Sequence, residues 1–184
     1  MTSRTKHINE IVTLTKCSKH TLDLIGVNLG KAGLLPKGGR GLYAPDAKPE
    51  HIANLLIGLM ASDKTKNAVD AVKSYSKLQT EDSSARFGEV LTKILSIVNL
   101  ADKVFAVRLC RTIPEAEIIY GRIEMRNGIP VPVVTDTRMF RDKEIDYEKI
   151  PMLRHDVTLS PGVIQTMANQ LEMAKNYHDP KSGK

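Results

Sequence analysis

The sequence predicts an α+β protein: a helical first half, a helical connector, and a small antiparallel β-containing C-terminal part closed by a final helix. Three observations carry that prediction. Apolar residues recur at three- and four-residue steps in several stretches up to Val98. From Phe105 the spacing switches to alternation, and an Asn127-Gly128 pair follows. After Ser160-Pro161 the helical spacing returns. A period of 3.6 marks an amphipathic helix and a period of two marks a half-buried strand.

The 184 residues suffice for one sizeable domain or two small ones, and the spacing divides the chain into segments 1–78 and 83–177. The apolar fraction is 41% with no Trp and three Phe, so the core must be mostly aliphatic. Net charge is +6. Residues 1–45 hold seven Lys or Arg against two Asp or Glu, and the remainder holds twenty against nineteen. A basic head on a nearly neutral body points to a polyanionic partner for the head alone. Cys17 and Cys110 form no C-x-x-C pair, so neither a zinc ribbon nor a disulfide framework is indicated. The polar N-terminus and short apolar runs lead to the expectation of a cytoplasmic protein with no membrane partner.

In chain order, Ile8, Ile11, Val12 and Leu14 give a short amphipathic helix, and Thr15-Lys16-Cys17 is a connection of helix-turn-helix length. Ser18 is placed to cap a second helix. Leu22, Ile25, Leu29 and Ala32 share one face of it, leaving Lys19, His20, Asp23 and Lys31 largely off that face. Gly33 suits its end. Leu34 and Leu35 read as an extended segment, Lys37 to Gly41 as a cationic glycine-rich tip, and Leu42 and Tyr43 as the return. A helix followed by a basic hairpin matches what duplex DNA offers, a major groove for the helix and phosphates or a minor groove for the tip.

These residues resemble a known family. INEIVTLTKCSKHTLDLI followed by GLLPKGGRGLY is similar to the winged helix-turn-helix module of MerR-type regulators, in which a short first helix leads into an S-x-H-T-L recognition helix, then G-L-L and a wing. The resemblance covers about residues 7–60. Here the stretch from His20 to Gly33 is about one turn longer, its tyrosine-rich middle is absent, and no long dimerisation helix follows. The resemblance therefore implies the DNA-binding module without effector sensing. By position in the motif it makes Lys19, His20 and Asp23 groove-facing and puts Lys37 and Arg40 on the wing; Ser18, Thr21 and Lys31 complete the candidate DNA-binding set. Cys17 takes the place of the small residue between the two helices.

Pro49 suits the first turn of a third helix, whose Ile52, Leu55, Leu56, Leu59 and Met60 hold a strong amphipathic spacing. Ala68, Val72 and Tyr75 mark a weaker one, and residues 79–84 read as a loop. Ser83 or Ser84 is placed to cap the stripe Phe87, Val90, Leu91, Ile94, Leu95 and Val98, which is either core or the seam of a dimer. Phe105, Val107 and Leu109 alternate in one strand, and Ala116, Ile118 and Tyr120 in a second. Asn127-Gly128 predicts a hairpin between Ile123–Met125 and Ile129–Val134. Pro130 and Pro132 place the returning strand at an edge. Residues 136–151 read as irregular, and Val157 and Leu159 as a short strand.

No enzyme signature survives scrutiny. Gly26 to Ala32 lacks the spacing and hydroxyl of a phosphate-binding loop. The five histidines show no metal-ligand spacing, and no cofactor is expected. Cys110 between Arg108 and Arg111 is read as a buried strand residue before a reactive thiol. His155-Asp156 has no nucleophile beside it. The sequence thus leads to double-stranded DNA binding for transcriptional control in a bacterium or phage, nucleoid-associated when bound. The body would form a homodimer or higher homo-oligomer, or recruit a transcription or packaging protein. The alternative is the DNA-recognition subunit of a phage packaging machine.

Overall fold

The computed structural model describes residues 4–36, 47–147 and 154–177. Among these, seven α-helices accompany a four-stranded antiparallel sheet. The order is α1 (Arg4–Thr15), α2 (Lys19–Lys31), α3 (Pro49–Ala61), α4 (Ala68–Tyr75), α5 (Phe87–Ser96) and the single turn α6 (Val98–Ala101). Then come β1 (Val104–Cys110), β2 (Glu115–Arg126), β3 (Ile129–Arg141), β4 (Asp156–Leu159) and α7 (Pro161–Tyr177).

Helix α3 is the centre. Ile52, Ala53, Leu55, Leu56, Ile57, Gly58, Met60 and Ala61 are all buried, so the helix is apolar around most of its circumference. A helix of that kind needs cover on every side. It packs on α2, α4, α5 and α7 and touches β1 and β4. The buried side chains form one cluster from Ile8 to Leu171, to which segments 1–78 and 83–177 both contribute. Phe87, Leu91, Ile94 and Leu95 lie inside this cluster. Four of the six stripe residues are therefore core, and Val90 and Val98 are half-buried against it.

The sheet runs β3-β2-β1-β4. Val107 pairs with Ile118 and with Leu159, Leu109 pairs with Ala116, and Ala116 pairs with Phe140. All six are buried, and they form the face turned to the helices. Phe140 meets Phe87 of α5 edge-on, with ring centroids 5.4 Å apart. The pairing register of β1 shifts between Val104 and Ala106, so Val104 is buried where strict alternation had placed Phe105. On the opposite face Arg108 Nη1 donates to Glu117 Oε2 at 2.7 Å.

The Asn127-Gly128 turn has positive φ at both residues, 53° and 78°, the conformation of the tight turn that the sequence predicts. Strand β3 lies at the edge, where Pro130 and Pro132 are tolerated. Two expectations need correction here. The two predicted stretches Ala116–Tyr120 and Ile123–Met125 are one strand, because the irregularity at Tyr120/Gly121 shifts the register without ending the ladder. Residues 136–141, read as irregular, continue β3, since pairing with β2 supplies the backbone bonds that their charged side chains do not signal. A third correction concerns α5. It starts at Phe87 after Arg86, and neither Ser83 nor Ser84 caps it. Instead Ser84 donates from its backbone N–H to Asp82 at 3.0 Å within a turn.

Candidate nucleic-acid interface

Helices α1 and α2 are joined by Lys16, Cys17 and Ser18. Ile8 and Ile11 from α1, and Leu22, Ile25 and Leu29 from α2, are buried, so the pair is fixed by apolar burial against α3 and its neighbours. Lys16 takes a left-handed conformation with φ 54°, which turns the chain between the helices. Cys17 is half-buried, packs on the core, and faces a cleft shared with Leu59, Met60 and Val163.

Ser18 occupies the expected cap position with extended backbone, but its side chain makes no cap bond. Its carbonyl accepts the first helical bond from the Leu22 N–H at 3.2 Å. At the other end Gly33, with φ 76°, donates to the Gly30 carbonyl at 3.2 Å, and Leu34 donates to the Leu29 carbonyl at 2.9 Å. This is the Schellman arrangement, and it stops α2 as the glycine predicts. Ala32 is exposed and does not join the buried face. Leu34 and Leu35 form no strand: the Leu34 N–H is used in the cap, its carbonyl accepts from Asn54 Nδ2 at 3.0 Å, and Leu35 is buried in the core. Lys37 and Arg40, assigned to the wing, lie outside the described residues.

Lys19, His20 and Lys31 are exposed, while Thr21 and Asp23 are half-buried. The residues that stand out on α2 follow helical spacing: His20, Leu24, Val27 and Lys31 form one row, all of it exposed. Leu24 and Val27 reach 38% and 45% exposure, so the centre of this row is apolar. Both are legible in the sequence as apolar residues off the buried face. Beside the row, Asn28 donates from Nδ2 to the Thr65 carbonyl at 2.9 Å. That bond fixes the 3-10 turn Thr65–Asn67 against α2 and brings exposed Lys64 and Lys66 to its flank. The K-T-K run carried the signal, but its distance from α2 in the chain concealed the neighbourhood. Asp63 stands beside these lysines, and the hydrogen bond from Asn67 at 3.0 Å holds its carboxyl below the usual carboxylate range.

The arrangement offers a solvent-facing helix with Lys19 and His20 in its first turn, two apolar side chains at its middle, and lysines around it. Ammonium groups suit phosphate oxygens, and exposed aliphatic carbons suit thymine methyl groups.

Other side chains weighed in the sequence have structural partners. Cys110 is buried, and its carbonyl accepts from the Tyr75 hydroxyl at 2.5 Å. Arg108 is held by Glu117, and Arg111 by carbonyls of α3, so both neighbouring guanidiniums are engaged elsewhere. Asp156 faces Arg154 at 3.7 Å. Among the described residues no cluster of His, Cys, Asp or Glu is arranged to hold a metal ion, and no helix is long and apolar enough to cross a membrane. Comparison with protein-family models, curated proteins and solved structures gives no match.

Proposed function

We propose that this chain binds double-stranded DNA through the exposed row of α2, with transcriptional control in a bacterium or phage as its role. One observation carries the reading: α2 is buried on one face by the α3 core and bare on the other, and the bare face is ringed by Lys19, His20, Lys31, Lys64 and Lys66. Two further observations support it. Charge is concentrated before residue 46, with seven basic against two acidic residues. The resemblance of the α1–α2 sequence to the MerR-type module assigns the same helix to reading. In this reading Lys31, Lys64 and Lys66 supply sequence-independent affinity, and Lys19 and His20 in the first turn, with the apolar centre of α2, discriminate bases. Lys37 and Arg40 serve as additional backbone or minor-groove contacts.

The test is selection of bound duplexes from a random pool by the full chain, followed by sequencing. Enrichment of a motif that Lys19→Ala relaxes is the expected result. Recovery of unenriched sequence overturns the sequence-specific role.

A DNA-recognition subunit of a phage packaging machine is the second reading. It is favoured by the β2–β3 hairpin, whose Ile123, Met125, Ile129 and Val134 are 58–67% exposed and give the body apolar surface for contacts between copies. Light scattering separates the two, since packaging requires a ring and an operator-binding regulator a dimer.

A further inference from the structure

A cleft of about 740 Å³ opens between α5 and the part of the sheet where the β2–β3 register shifts. It is remote in sequence from α2 and plays no part in the DNA reading. Its size lies within the roughly 300–1,000 Å³ of small-molecule sites. Val90 and Ile94 of α5, Leu100 and the Tyr120 ring give it an apolar lining.

The charges around this lining are unequal. Two carboxylates border it, and both face an arginine: Glu89 stands 4.0 Å from Arg86, and Asp136 stands 3.5 Å from Arg138. The Arg138 guanidinium also lies 5.5 Å from the Tyr120 ring centroid. Arg122 is held by Glu124 at 2.7 Å. That leaves Lys93 and Lys103, which border the cleft and meet no carboxylate among the described residues. Uncompensated cations over an apolar floor are complementary to one ligand class. We infer that this cleft binds a small organic anion whose apolar body lies on Val90, Ile94, Leu100 and Tyr120 and whose anionic group meets Lys93 and Lys103.

The experiment titrates the full chain with 8-anilinonaphthalene-1-sulfonate, followed by fluorescence, with its uncharged analogue N-phenyl-1-naphthylamine in parallel. Saturable binding of the sulfonate is expected, with the neutral analogue at least tenfold weaker on the same unmodified protein. Lys93→Gln/Lys103→Gln should weaken the sulfonate tenfold or more while circular dichroism and melting stay unchanged, since both side chains are exposed. Ile123→Ser/Met125→Ser, which strips the exposed hairpin of apolar surface, should leave binding intact. The inference is overturned by absence of saturable binding, by equal affinity for the two probes, by an unaffected lysine variant, or by loss of binding in the hairpin variant.

Discussion

Arg111 Nε donates to the Met60 carbonyl at 2.6 Å, and so ties the turn between β1 and β2 to the C-terminal end of α3. The same guanidinium reaches the Leu59 carbonyl at 3.1 Å. The last carbonyls of a helix have no partner within it, and a cation there also complements the helix dipole. Arg111→Ala should therefore lower stability by about 1.5–3 kcal/mol, the range for hydrogen bonds to charged groups. Urea denaturation measures this, and a loss below about 0.5 kcal/mol would show that solvent replaces the contact.

Leu91 of α5 is fully buried, and α5 packs on α3 and α7. Leu91→Asp places an unpaired charge in that core and should cost on the order of 4 kcal/mol, enough to abolish a cooperative melting transition in a marginal domain. A folded, thermally intact variant of reduced oligomeric state would instead return the α5 stripe to a subunit interface.

Burial pushes the Tyr75 phenol up to about 12 from its ordinary 10.0, with a further rise from Cys110 and an opposing effect of Arg111. The neutral form is the one that fits, because the hydroxyl donates to the Cys110 carbonyl. Folding thus favours the protonated phenol. The stability this confers is fully present below pH 10 and is lost as pH rises from 10 towards 12. Urea midpoints from pH 8 to 11 should fall more steeply for the native chain than for Tyr75→Phe, which loses about 1 kcal/mol at neutral pH. Parallel alkaline profiles would show that Tyr75 does not titrate late.

Lys16 holds φ 54° without being glycine. A left-handed residue with a side chain costs about 1–2 kcal/mol, partly offset by the lower entropy of its unfolded chain. Lys16→Gly should raise the melting free energy by about 0.5–1 kcal/mol. Urea denaturation measures this, and a variant with unchanged or lower stability would show that Lys16 holds its left-handed conformation without strain.

The fold was legible wherever local pattern and tertiary role agree. Leu22, Ile25 and Leu29, the α4 triad Ala68, Val72 and Tyr75, and the Asn127-Gly128 turn all announce their environment through spacing or φ preference. What the sequence concealed depends on non-local pairing. Asp136 to Arg141 is strand because β2 lies beside it, and no periodicity in those charged residues says so. The central position of α3 was only half visible, since its stripe showed one buried face and the structure buries nearly all of it. At the candidate interface the exposure of Lys19 and His20 follows from helix phase. Lys64 and Lys66 were missed because a hydrogen bond spanning 37 residues, Asn28 to Thr65, brings them there.

The most direct measurement is the salt dependence of duplex binding by the full chain, by fluorescence anisotropy, for the native protein and for Lys19→Ala/Lys31→Ala/Lys64→Ala/Lys66→Ala. Truncating the head is unsuitable, because Ile8, Ile11, Leu22, Ile25 and Leu29 belong to the shared core. All four lysines are exposed, so the variant should fold as the native chain does. Each lysine that neutralises a phosphate adds about one to the slope of log affinity against log salt. The native chain should bind with a steep negative slope, and the quadruple variant should lose about three to four units of it. A native chain that fails to bind duplex DNA at low salt, or a variant with an unchanged slope, would contradict the assignment of α2 and its flanking lysines to DNA.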